Sequence, residues 1–354
     1  MVELAERFVK DHETYLLTSS YDYEVPNLIV HKKSMIRKPF WLKILYNAHY
    51  NTKYSRIIKK NFGINIVHSQ STESFECDVV TMQSCHKAWV KQHDSEKGRP
   101  FSINPPDYVR KIIERYVLER GSKKIIAISN RVKQEILENY GVPTEKVEVI
   151  HSGVNLEEFK PNFAKREKIR TKLGINENQI VLMFSGHEFS RKGLKYIIET
   201  LPRIKGNVKL LVAGGDNPTP YFRLASELGM QDHILFLGTL KEDLNDHYAA
   251  SDLFVFPTLY EPFGLVITEA MASGLPVITS KIAGAAEIMT DGEDGLLLDD
   301  PTNSEELAEK INILVEDENL RKQMGFNARK TAEKYSWGYV AQKTLEVFEE
   351  ILRR

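Results

Sequence analysis

The sequence predicts an α/β protein built from two Rossmann-like, doubly wound domains. Three observations carry this. The chain has 354 residues, the length of two domains of ordinary size. Short apolar runs bounded by Gly, Pro, Asn and Asp alternate with helical patterns along it, as parallel βαβ units require. The alternation pauses once, at 156–165 around Pro161, and begins afresh at Ile180-Val181-Leu182-Met183-Phe184-Ser185. The expected domains are 1–158 and 159–335, followed by a last helix over 336–354.

Composition narrows the class. Hydrophobic residues make up 42% and charged residues 27%, an ordinary globular balance. The net charge of −1 gives no sign of a nucleic-acid partner, but it is unevenly spread. Residues 1–124 carry 21 Lys and Arg against 14 Asp and Glu, and the rest carry 27 against 35. A basic amino-terminal half suits an acidic acceptor or an anionic membrane surface; solvated helix faces explain it equally well. Two cysteines, Cys77 and Cys85, make no disulfide framework. No apolar run reaches the roughly 18 residues that span a bilayer, and the start has no signal-peptide pattern. The expected setting is cytoplasmic, with a peripheral contact on the inner face of the membrane through the basic domain.

The amino-terminal domain reads as follows. Val2, Leu4, Ala5, Phe8 and Val9 fall at helical spacing, and a strand follows at 14–18. A doubly wound domain ordinarily begins with its central strand, so the first strand of this domain is expected to be absent or replaced by another element. Residues 38–46 read as a short aromatic, basic helix, with Arg56, Lys59 and Lys60 on the next one. Trp41 and Leu45 suit core packing better than a membrane face. Strands at 64–68 and 78–82 place His68 and His86 near carboxyl ends, where ligands gather in such sheets; a structural role suits either histidine as well. A charged helix spans 108–120, a strand 124–130, and Ser129 is a natural N-cap for the helix 131–140.

In the second domain the strand 180–186 runs into the loop His187-Glu188-Phe189-Ser190-Arg191-Lys192-Gly193-Leu194, which opens a helix. Arg191 and Lys192 there could neutralise a diphosphate. Leu210–Gly215 and Ile234–Leu240 are the next strands. Leu253-Phe254-Val255-Phe256 leads into Glu261-Pro262-Phe263-Gly264-Leu265-Val266-Ile267-Thr268-Glu269-Ala270-Met271-Ala272-Ser273-Gly274-Leu275-Pro276. This stretch reads loop, helix, turn, with Gly264 near the helix start and Gly274 at its end. A helix start offers unpaired backbone N–H groups to an anion, and Glu261 and Glu269 can accept hydrogen bonds from sugar hydroxyls beside it. Alone, either glutamate could be a solvated charge. Helices at 304–316, 318–334 and 336–353 close the chain. No H-E-x-x-H and no convincing D-x-D occurs, so no metal is expected.

The stretch Glu261–Pro276 resembles the signature of the family 4 retaining glycosyltransferases, E-P-F-G-L-x-x-x-E-A-M-A-x-G-x-P. The likeness covers nearly the whole chain, most strongly 145–335. It implies the GT-B architecture: two Rossmann-like domains facing a cleft, with the last helix returning to the first. It also implies a reaction, the transfer of a hexose, glucose favoured, with retained configuration. The donor is a nucleotide diphosphate sugar, UDP type favoured; the acceptor is a glycan or lipid-linked hydroxyl in cell-surface polysaccharide synthesis. Residues 75–160 look most like enzymes of lipopolysaccharide core assembly. Carried over residue by residue, the resemblance gives Glu269 the ribose diol. Glu261 and the backbone N–H groups of Phe263, Gly264, Leu265 and Val266 take the donor sugar and phosphate. Arg191 and Lys192 take the leaving diphosphate, and His86 the sugar. Leu240 holds the base and Gly186 lies beside the donor. No cofactor is implied. Two departures stand out: the family's first strand and glycine-rich loop have no counterpart here, and Gly186-His187-Glu188 replaces its usual Gly-Arg-Leu.

Other readings remain open. A relative without the phosphate loop could bind a sugar nucleotide and not turn it over. A dinucleotide-dependent oxidoreductase would need G-x-G-x-x-G after an early strand and an acidic residue about 20 further on, and neither is found. A sugar-nucleotide epimerase is a weaker third.

Overall fold

The computed structural model describes residues 2–353 apart from 20, 22–23, 34–38, 97–104 and 241–242. The chain divides into two compact units, Met1–Ser152 with Trp337–Arg354, and Gly153–Ser336.

In the first unit, β1 (Tyr15–Thr18) and β2 (Ile29–Lys32) form a parallel pair. β3 (His68–Gln70), β4 (Cys77–Met82), β5 (Ser122–Ala127) and β6 (Val147–Val149) form a four-stranded parallel sheet, in which neighbours in sequence are neighbours in space. Its central strands are apolar runs, with Val79, Val80, Ile125 and Ile126 all buried, as expected for a parallel sheet covered on both faces. The opening helix Val2–Phe8 finds its partner at the far end of the chain. Leu4 shares a core with Val79, Ile126, Ile150 and with Val340, Ala341 and Val347 of the closing helix Trp337–Arg353. The rings of Phe8 and Phe348 lie 5.7 Å apart.

Three expectations are corrected in this unit. The helices expected at 38–46 and around 56–60 are one continuous helix, Phe40–Phe62; Lys38 lies outside the described residues. Asn51 and Thr52, residues that often interrupt helices, here bond sideways. Asn51 Nδ2 donates to the Glu73 carbonyl (2.6 Å), while the Thr52 hydroxyl donates back to Ala48 O (2.7 Å) and accepts from Phe75 N (2.8 Å). Trp41, expected in the core, is 38% exposed, because the helix turns its buried face through Ala48, Asn51, Thr52 and Ile58 instead. The strand expected at 64–68 begins only at His68, since Val67 N donates to the Asp78 carboxylate (2.9 Å). The Ser129 hydroxyl accepts from Val132 N (3.1 Å), the cap its position suggests.

The second unit is built on six parallel strands: β7 (Ile180–Ser185), β8 (Val208–Ala213), β9 (Ile234–Gly238), β10 (Leu253–Phe256), β11 (Val277–Ser280) and β12 (Gly295–Leu298). Their order is β12-β11-β10-β7-β8-β9. The chain builds outward from β7 to β9, crosses back to lay β10 on the other edge of β7, then builds outward to β12. The direction of winding reverses between β7 and β10, and the crevice beyond the carboxyl ends at such a reversal is where open α/β sheets bind ligands. Pairing of Leu253 with Leu182 and of Phe254 with Met183 brings the loops after β7 and β10 side by side. At the opposite end, Asp252 anchors β10: its carboxylate accepts from Val181 N (2.7 Å) and pairs with Arg166 (2.6 Å) and Arg170 (3.2 Å).

Candidate functional site

Local conformation shapes the loop after β7. Gly193, which ends it, has φ +80°, and a Cβ there would lie 2.0 Å from Pro257 O. Only glycine lets the two loops approach so closely. Phe189 plugs the loop into the core, and its N–H donates to Asp216 Oδ2 (2.9 Å). The neighbouring loop is sewn on: Leu259 N donates to Arg191 O (2.9 Å), and the Thr258 hydroxyl reaches both Arg191 O (3.3 Å) and Tyr260 O (3.2 Å).

These contacts aim the charges. Arg191 donates from Nε to Glu188 Oε2 (2.8 Å) and from Nη1 to the Tyr260 carbonyl. The Lys192 ammonium pairs directly with the Glu261 carboxylate, and both residues are only 9% exposed. Burial first, then the adjacent Arg191 guanidinium, pull the Lys192 ammonium down to about 7, while Glu188 acts against them. The Glu261 carboxylate in contact with Nζ also opposes that fall. Glu261 in turn is held by the segment after β11. Gly284 N donates to Glu261 O (3.0 Å) and Ala285 N to Phe263 O (2.8 Å). A Cβ on Gly284 would lie 2.1 Å from Pro262 O, so this position too requires glycine.

Gly264 caps the helix Leu265–Ala272. The N–H groups of the first turn, at Leu265 and Val266, have no partner within the helix. Glu269 sits one turn further in. Its Oε2 accepts from the hydroxyl of fully buried Tyr248 (3.3 Å). Burial raises the Glu269 carboxyl to about 7, with the Tyr248 hydrogen bond working against the rise and the Glu158 charge adding to it.

The structure thus brings Arg191, Lys192, Glu261 and the helix start carrying Phe263–Val266 together at the reversal of the sheet. Gly186 follows β7, but its N–H is already committed to Ala213 O (3.0 Å). Leu240 lies two residues past β9, on the edge strand of the sheet. His86 lies in the other unit, at the start of the helix His86–Glu96 after β4. Its Nε2 lies 3.2 Å from Asp107 Oδ1 and its ring stacks on Trp89 at 5.8 Å. Burial lowers its pKa, Asp107 opposes this, and Arg110 and Lys111 reinforce it. His68 is half-buried, bonded to Thr81 Oγ1 (2.7 Å) and packed edge-on against Phe348, and desolvation of its ring pushes its pKa down to about 4. Sequence reasoning did not single out Glu188, Thr258 or Tyr248. Only the meeting of the two loops and the packing of Tyr248 beneath Glu269 reveal them. Among the described residues no three His, Cys, Asp or Glu side chains converge as a metal site.

Such an arrangement can hold a diphosphate between two cations and a helix start, with carboxylates ready for hydroxyl donors. The sequence matches the model for glycosyl transferases group 1 over residues 165–331 and that for glycosyltransferase family 4 over residues 1–158. An uncharacterized glycosyltransferase of Methanocaldococcus jannaschii is 30% identical over 98% of this chain and 92% of its own length. The chain belongs to the family 4 glycosyltransferases. Lipopolysaccharide glucosyltransferase WaaG of Escherichia coli is 29% identical over 74% of this glycosyltransferase and 71% of its own length. In structure, WaaG superposes with a TM-score of 0.79, at 23% identity, over 98% of this chain and 94% of its own. Sucrose-phosphate synthase of Thermosynechococcus elongatus gives 0.81, at 20% identity, over 99% and 92%. The glycosyltransferase has the GT-B fold. Among its described residues no helix is long and apolar enough to cross a membrane.

Proposed function

We propose that this glycosyltransferase moves a hexose, glucose favoured, from a UDP-type donor to a hydroxyl of a glycan or lipid-linked acceptor, with retained configuration and without a metal. The observation that carries the reading is the convergence of Arg191, Lys192, Glu261 and the helix start at Gly264 on the reversal of the second sheet. In this reading the two cations and the N–H groups at the helix start bind the diphosphate. Glu261 accepts from hydroxyls of the donor sugar and Glu269 from the ribose diol. The bond from the anomeric carbon to the diphosphate oxygen breaks as the acceptor oxygen bonds to that carbon on the same face. The acceptor proton passes to the departing phosphate oxygen, so no side-chain nucleophile is required. Cationic contacts stabilise the charge that grows on the diphosphate.

Support for the donor comes from Anabaena HepE, a structural neighbour described in complex with UDP-glucose, and support for glucose from the name of WaaG. The amino-terminal unit takes the acceptor in this reading. Its basic charge, with exposed Tyr108, Ile112 and Tyr116 beside Lys111 and Arg115, supports a peripheral contact with the inner face of the membrane during cell-surface polysaccharide synthesis.

A thermal-shift panel with UDP, GDP, ADP, their glucose conjugates and NAD tests the donor. The expected result is a rise with UDP and UDP-glucose, together with UDP release from UDP-glucose. A rise with NAD alone overturns the reading, and binding without release reduces the protein to a sugar-nucleotide binder.

A further inference from the structure

Tyr248 lies in the last turn of the helix Leu244–Ala250 and is fully buried. Its ring is wedged between two others, Phe159 at 6.0 Å and Phe254 at 5.7 Å, both met edge-on. Phe254 belongs to β10, and Phe159 to the stretch that opens the second unit. A ring packed in this way fixes the place of its hydroxyl. That oxygen lies 3.3 Å from Glu269 Oε2 and 3.5 Å from the Val266 carbonyl, both on the helix Leu265–Ala272. One proton serves one acceptor. The Val266 carbonyl has an amide four residues on within its own helix, and the carboxylate is the nearer and stronger acceptor. Burial first, then the Glu269 charge, hold the Tyr248 hydroxyl well above its ordinary pKa, against the Ser185 side chain at the end of β7. The hydroxyl therefore stays a donor. Glu269 is under pressure to give up its charge, from burial and from Glu158, and the bond from Tyr248 opposes both. Its Oε1 makes no hydrogen bond or ion pair among the described residues. One oxygen of the carboxylate is tied down and the other is open.

We infer that Tyr248 is a positioning residue for the nucleotide: its hydroxyl holds Glu269 Oε2, so that Oε1 meets the ribose diol already aligned. The inference rests on the proposed ribose role of Glu269 and adds the group that orients it. Tyr248 itself touches no ligand in this arrangement. It contributes by removing rotational freedom that the glutamate would otherwise lose on binding, and by favouring the charged carboxylate as acceptor.

The test is titration calorimetry of the full chain with UDP and with a UDP analogue lacking both ribose hydroxyls. The wild type should bind UDP more tightly than the analogue, and the difference should vanish in Glu269→Ala. Tyr248→Phe keeps the ring and removes only the oxygen. It should weaken UDP about tenfold, the worth of one hydrogen bond to a charged group, and leave the analogue within about twofold. Added to Glu269→Ala, it should weaken neither ligand further, because the hydroxyl then has nothing to hold. A full preference for UDP in Tyr248→Phe overturns the inference. So does equal weakening of both ligands, up to loss of both, which assigns Tyr248 to packing alone. A weakening of UDP that persists in the Glu269→Ala background overturns it too. A preference unchanged in Glu269→Ala, or no binding of UDP by the wild type, removes the ribose role itself and the inference with it. The wild type and the glutamate variant alone thus report on the donor reading, and the tyrosine variant on the positioning.

Discussion

The two units hold their charged residues in opposite states. In the second, the cations are already paired: Lys192 with Glu261, and Arg191 with Glu188 and the Tyr260 carbonyl. In the first, Lys43 faces a cavity with no partner among the described residues, while the nearby carboxylate of Glu114 is saturated. The arrangement in the second unit is preorganised. Its groups are fixed before a ligand arrives, which is how electrostatic stabilisation of a developing charge avoids reorganisation. The arrangement in the first unit leaves the Lys43 ammonium without a hydrogen bond or ion pair among the described residues.

The comparison can be broken at its strongest point first. Lys192→Ala removes a cation from the proposed diphosphate site and leaves Glu261 buried without its partner. Turnover, followed by UDP release, should fall about a hundredfold, or about 3 kcal/mol of barrier; unchanged turnover would take Lys192 out of that role. Gly284→Ala pushes a Cβ against Pro262 O and should cost about 1–3 kcal/mol in urea unfolding. A neutral result would mean the clamp on the Glu261 loop is loose. Glu269 gives a pH signature. Its carboxyl is raised from 4.5 to about 7 in the folded chain, so the folded state holds the proton longer than the unfolded one. The wild type should therefore lose stability relative to Glu269→Gln as pH rises from about 4.5 to about 7, and the gap should stay constant above that. Discounted for the solvent that reaches this half-buried group, the change is about 1 kcal/mol. A gap that widens in the acid direction would reverse the assignment. The smallest effect sharpens the contrast from the other side: Trp41→Ser on the exposed helix face should shift stability by no more than about 0.5 kcal/mol, and a loss of several would restore Trp41 to the core.

How much of this was legible in the sequence depends on how local each feature is. Glu261 to Pro276 is one strand–loop–helix unit, so its elements and both glutamates could be read in place. The meeting of Lys192 with Glu261, 69 residues apart, could not, because it depends on β10 lying against β7 and not beyond β9. The helix at 40–62 is harder to read as one element, because the partners that hold Asn51 and Thr52 in it, at 73–75, are distant in sequence. The opening helix looked misplaced because its partner, Trp337–Arg353, lies at the far end of the chain.

The reversed strand order also sets when the site can exist during synthesis. A ribosome that has released residues up to about 240 has delivered β7, β8 and β9, with Arg191 and Lys192 on their loop, but not β10 or its carboxylate. Both cations then stand without Glu261 or the Tyr260 carbonyl. Only when β11 and the turn at Gly284 emerge is the loop of Glu261 locked by its two backbone hydrogen bonds. The proposed diphosphate site therefore closes only once the segment around Gly284 and Ala285 has emerged, long after both of its cations.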